Sequence, residues 1–244
     1  MTDAVALDSF EVFRIADVLG RTWRILPRAL LPFSLVTLVI GLPSLLITLV
    51  HPPSATPHST ADGLGLLVQT LLDPISQGVL YGALVPMLQG QPVRLAGVTR
   101  QGLERYLALL GVSILSSLML ILGFAALFVP GFIVATMLIV AAPVCVVERL
   151  GSRASLRRSM ALTRGHRRKI LGILALFALA LMIPSVPAIG LAVALGEGFG
   201  GELLLSAWTA ITSAAFIVLN GVLYHQLRAA AGDLGGQRLA AVFD

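Results

Sequence analysis

Six apolar runs set the limits on what this chain can become: residues 29–50, 64–89, 107–129, 132–147, 170–195 and 203–226. An α-helix rises about 1.5 Å per residue and the hydrocarbon core of a bilayer is about 30 Å thick, so roughly 17–25 apolar residues suffice to cross it. The fourth run sits at the short limit. With 57% hydrophobic and only 12% charged residues, the chain lacks the polar surface a soluble domain of 244 residues needs. The expected class is therefore an all-α integral membrane protein with six transmembrane helices.

Read as one helix, residues 107–147 would run about 60 Å, twice the bilayer core. Pro130-Gly131 is accordingly expected to be the tight turn of a hairpin. Charged residues occur throughout the first 28 positions and the first apolar run is too long for an h-region, so no cleavable signal peptide is expected. The single cysteine, Cys145, falls within the fourth run, where a packing role is expected.

The basic residues give the orientation. Arg14, Arg21, Arg24 and Arg28 precede span one, Arg94, Arg100 and Arg105 lie between spans two and three, and Arg228 and Arg238 follow span six. The remaining eight of the seventeen fall within residues 148–169, between spans four and five. All seventeen thus occupy alternate loops, while residues 51–63, the turn at 130–131 and residues 196–202 hold none. The positive-inside rule then places both termini in the cytoplasm, and the localisation expected is a bacterial cytoplasmic (inner) membrane.

Eight charges exceed what orientation requires. Read as a helix capped by Ser152, residues 153–168 bring Arg153, Arg157, Arg164 and Arg168 near one stripe, with Leu156, Met160 and Leu162 as an incomplete apolar side. Together with Arg158, Arg167 and Lys169 these form the candidate contact surface for anionic lipid headgroups or a cytoplasmic protein partner. No aromatic residue is interleaved to stack a base, so nucleic acid is not an expected partner.

The N-terminal segment, residues 1–28, follows a similar design. Asp8 or Ser9 can cap a helix, Glu11 suits a capping box, and Val12, Ile15, Leu19, Trp23 and Leu26 recur at helical spacing opposite charged residues. Such a helix either lies in the interface with Trp23 at headgroup depth or docks on the ends of the bundle. A third basic approach, RLAGVTRQGLERY, precedes span three. The chain thus divides into a surface helix at 1–28, a six-span domain at 29–226 arranged as three hairpins with cytoplasmic amphipathic helices, and a tail at 227–244.

Residues 128–174, FVPGFIVATMLIVAAPVCVVERLGSRASLRRSMALTRGHRRKILGIL, carry a distinctive combination: Pro130-Gly131, Pro143, Glu148, Gly151, the Leu156-Arg157-Arg158-Ser159 run and Thr163-Arg164-Gly165. The segment resembles the membrane domain fused to some bacterial glycerophosphoryl diester phosphodiesterases, a domain that also occurs alone in bacterial membrane proteins. The resemblance implies a six-helix inner-membrane domain and no particular chemistry. No soluble stretch here approaches the roughly 200 residues of a catalytic barrel, so the hydrolase activity is not carried over.

An ionisable group inside a span is a candidate functional residue. Asp73 is one, with Gln77 four positions on and on the same helix face. The expectation is that Asp73-Pro74 forms an N-cap and first turn near the outer surface; the alternative is an intramembrane carboxylate that carries a proton or holds a cation. Span six places Ser206, Thr209, Ser213 and Asn220 along one face, suited to helix packing or to lining a polar path. Pro184 and Pro187 are expected to interrupt span five. The outer groups His51, His58, Asp62, Glu197 and Glu202 have no metal-site spacing. No catalytic residue, metal ligand or cofactor is assigned. The function expected is non-enzymatic engagement of lipid or a partner protein through the basic face; the alternative is a transporter with its path at Asp73, Gln77 and span six.

Overall fold

The structure, a computed structural model, describes residues 15–50, 60–88, 91, 95–196 and 198–243. All regular elements among them are α-helices: α1 Ile15–Val50, α2 Thr60–Leu88, α3 Leu95–Glu104, α4 Tyr106–Ala126, α5 Phe128–Leu138, α6 Ala141–Val147, α7 Ser152–Leu162, α8 Arg167–Ala194 and α9 Phe199–Phe243. Six segments, with α5 and α6 counted as one, are long and apolar enough to cross a membrane. In lipid every backbone amide must be satisfied within its own segment, so apolar runs of this length fold as helices.

Several boundaries differ from the sequence reading. Residues 15–28 do not form a separate helix, because α1 continues unbroken from Ile15 through span one. Its buried face there is Val18, Thr22, Ala29 and Phe33, whereas Trp23 is 65% exposed. The stripe toward the protein is thus rotated from the expected one, since α1 packs along α9 and α2. The caps expected at Asp8 and Ser9 lie outside the described residues.

The turn after α4 falls at Leu127, not at Pro130-Gly131. Leu127 alone is extended (φ −172°, ψ 158°), and Pro130 enters the first turn of α5, where its missing N–H is no loss. Gly131 serves the packing: a Cβ there would strike the Phe124 ring. Span four is itself broken between α5 and α6. Pro143 cannot donate to the Ile139 carbonyl and its ring crowds it, which accounts for the break immediately before α6. Pro184 and Pro187, by contrast, sit inside an uninterrupted α8.

The basic loop is not one long amphipathic helix. Gly151, rather than Ser152, stands at the N-cap of α7, which ends at Leu162. A turn through Gly165 (φ 86°) then leads into α8, so the four arginines do not share one stripe. Instead α7 is docked on the bundle: Ser152 donates to the Ala108 carbonyl at 2.9 Å and Ser159 to the Met137 carbonyl at 2.7 Å. Glycine permits this approach, since a Cβ on Gly111 would overlap the Ser152 hydroxyl.

The core runs between α1, α2, α6 and α9 around Leu80, Leu84, Val144, Leu219 and Leu223. On the outer faces, Leu179, Ile183 and Val186 of α8 and Leu118, Ile121 and Leu122 of α4 are exposed, as lipid-facing side chains are.

Candidate functional site

Asp73 is not a cap. It is the fourteenth of the 29 residues of an unbroken α2, so it stands halfway along a membrane-crossing helix. Its Oδ1 accepts a 2.6 Å hydrogen bond from Gln69 Nε2, and Gln69 Oε1 in turn accepts one of 2.9 Å from Ser44 on α1. The relay fixes the amide with its N–H groups toward the carboxylate and leaves Asp73 Oδ2 without a hydrogen-bond partner among the described residues.

This carboxylate faces a cavity of about 650 Å³. From α2 the cavity is lined by Gln69, Thr70, Asp73, Ser76, Gln77 and Tyr81, about 18 Å of helix. The α9 face adds Thr209, Ser213 and Asn220, and α4 adds Ser113, Ser116 and Ser117. Leu138, Ile139, Ala141 and Ala142 bring the α5–α6 break to the wall. Among the described residues no Lys, Arg or His lines it, and the one formal charge they bring is negative. The Ser116 hydroxyl and Asn220 Oδ1 are buried there without a hydrogen-bond partner among the described residues. Leaving such an atom unsatisfied costs about 1–3 kcal/mol, which a hydrogen bond from water or a polar ligand offsets.

The three residues singled out in sequence, Asp73, Gln77 and Asn220, thus share one space. Thr209 and Ser213 join them, whereas Ser206 does not reach it. The serines of α4 were missed. Their 113, 116, 117 spacing is the available signal, because helical periodicity puts 113, 116 and 117 on one face.

The basic residues are dispersed by comparison. Arg153, Arg157, Arg164, Arg168 and Lys169 are exposed. Arg158 instead pairs with Glu148 at 3.1 Å, and Tyr224 donates to the same carboxylate at 3.1 Å, tying α7 and α9 to the end of α6. Arg167 is half-buried, with its Nε unpartnered among the described residues. Of the outer groups, His51, His58 and Glu197 lie outside the described residues, as does the side chain of Asp62. Among those described, no three His, Cys, Asp or Glu side chains gather in a metal-binding group. Cys145 is buried, with its thiol 3.4 Å from the Leu150 carbonyl.

Fold and cavity together define a multi-pass helical protein with a half-open cavity, lined in part by polar side chains, among its apolar helices. No protein family, curated protein or solved structure matches the chain.

Proposed function

We propose that the protein is a membrane carrier that binds a small cationic or polar solute in the cavity at Asp73. The observation that carries this reading is the meeting, among the described residues, of one carboxylate unopposed by any cationic side chain with two unpartnered polar atoms in one cavity between the apolar helices. Polar groups placed there are costly unless they serve a guest or a path. The break at Ile139–Val140 supports the same reading, because irregular backbone at membrane depth is tolerated where it lines a cavity.

The test is thermal unfolding of the purified protein against Na⁺, K⁺, ethanolammonium and tetramethylammonium chlorides at matched ionic strength. A bound cation at about 100 times its Kd stabilises by about 2.7 kcal/mol. Asp73→Asn keeps an acceptor for Gln69 but removes the charge, and is expected to abolish that shift. A cation response unchanged in Asp73→Asn, or absent from the native protein, overturns the cationic assignment.

A second reading concerns the basic end. The exposure of Arg153, Arg157, Arg164, Arg168 and Lys169 favours contact with anionic lipid headgroups of a bacterial inner membrane, with both termini on the cytoplasmic side and the six spans paired as three hairpins. A protein partner at this surface is the alternative. Replacing Arg153, Arg157, Arg164 and Arg168 by Gln removes charges worth about 1 kcal/mol each near an anionic surface. Co-purified anionic lipid, read by native mass spectrometry, is expected to fall; unchanged lipid with intact folding rejects the lipid contact, and a stoichiometric protein in its place identifies a partner.

A further inference from the structure

A second cavity, of about 330 Å³, lies between α2, α6 and α9 toward the end that carries the arginines, where Tyr224, His225 and Arg228 line it. Tyr81 lines both cavities. On α6, Ala142 faces the polar cavity and Pro143 the second one; on α9, Asn220 faces the first and Gly221 the second. The two spaces are therefore separated by one layer of side chains. Tyr81 and Asn220 meet in that layer from equivalent depths, each 21 residues from the start of its helix.

The layer is closed. Tyr81 is 4% and Asn220 2% exposed, and both line the inner end of the first cavity. One turn further on, Leu84 seals against Gly221 so tightly that a Cβ there would overlap the Leu84 side chain. At its other end the polar cavity reaches Thr70 and Thr209, which are exposed. A closed inner layer and an exposed outer end describe one of the two states an alternating-access path must visit. The third wall of the layer, the seven-residue α6, is already uncoupled from α5 by the Pro143 break, so it can tilt without breaking a continuous helix.

We infer that Tyr81 and Asn220 form the inner gate of this path, that the second cavity is its vestibule on the basic side, and that the structure is the state open to the opposite side. The inference rests on the carrier reading and adds to it which residues separate the compartments. A phenol and an amide suit this position: they fill the passage when closed, and when the layer parts each can solvate a passing polar guest, which an apolar plug cannot.

Accessibility tests it without knowing the solute. In a Cys145→Ala background, Ser213→Cys places one thiol in the polar cavity. Sealed vesicles of each orientation are then treated with a charged, membrane-impermeant thiosulfonate reagent. The expected result is labelling from the side opposite the arginines and protection from the basic side. Tyr81→Ala, and separately Asn220→Ala should the first variant fail to fold, is expected to raise labelling from the basic side at least about tenfold, equivalent to about 1.4 kcal/mol on the opening equilibrium. Equal labelling from both sides before substitution, or protection from the basic side that persists in both folded variants, overturns the gate and leaves the cavity intact. Absence of labelling from either side removes the cavity, and the carrier reading with it.

Discussion

Gly78 and Gly102 bring α2, which bears Asp73, Gln77 and Tyr81, against α3. A Cβ added at Gly78 would lie 2.8 Å from the Gly102 Cα, 3.1 Å from its carbonyl oxygen and 3.1 Å from a Leu109 methyl. Carbon atoms pack best at about 3.5–4.0 Å, so Gly78→Ala demands a separation of about 1 Å. Two of the three neighbouring atoms are backbone, which cannot rotate away. Forcing a carbon into a packed contact costs about 1–3 kcal/mol, against which the better helix propensity of alanine returns about 1 kcal/mol. The expected net is a destabilisation of up to about 2 kcal/mol, read as a lower midpoint in thermal or denaturant unfolding in detergent. Gly102→Ala meets the Val79 amide nitrogen at 2.9 Å and should cost a similar amount. The double variant should cost less than the sum, because the second Cβ enters space the first has opened. Gly20→Ala is the control: nothing lies within 4 Å of its Cβ, so it should be neutral or stabilising. Gly78→Ala stabilised as much as Gly20→Ala, or strictly additive losses in the double variant, would refute the account of this contact.

Two further outcomes follow from the α5–α7 region. Ser159→Ala removes a 2.7 Å bond from a fully buried hydroxyl to the Met137 carbonyl, next to the break in span four, and is expected to cost about 1–2 kcal/mol in the same unfolding assay; an unchanged midpoint would show that the bond does not hold α7 in place. Arg149 adopts a left-handed conformation (φ 53°) and presents its carbonyl to Arg105 Nη1 at 3.0 Å. Because only the backbone is used, Arg149→Gly should keep that bond and stabilise by up to about 1 kcal/mol, whereas Arg149→Val should destabilise.

Much of this protein can be read along the chain, and the residues that can be read are of one kind. The number of spans follows from run length alone, because a helix in lipid satisfies its own backbone whatever stands beside it. The polar faces of α2 and α9 are also legible, since Asp73, Gln77 and Asn220 are exceptional within apolar runs. Prolines are legible as residues but not as outcomes. Pro143 ends up beside a break, whereas Pro74, Pro184 and Pro187 remain inside helices. The local chemistry is the same at each; whether the orphaned carbonyl is tolerated depends on what packs around it. For this reason Asp73 reads in sequence as a cap and stands in the structure at mid-helix.

Residue order alone is enough for the all-helical class, the six apolar segments and the confinement of all seventeen basic residues to alternate segments flanking those runs, each a property counted along one dimension. Packing in three dimensions was needed to turn the serines of α4 toward Asp73, to hold Arg158 on Glu148 while Arg153 and Arg157 stay exposed, and to stand Tyr81 between two cavities. The physical reason is rotational. Hydropathy fixes how long a membrane helix is but hardly how it is turned about its axis, because lipid offers no apolar drive to distinguish one face from another. That angle is set by close approaches such as Gly78 on Gly102 and Gly221 under Leu84, which join residues far apart in the chain.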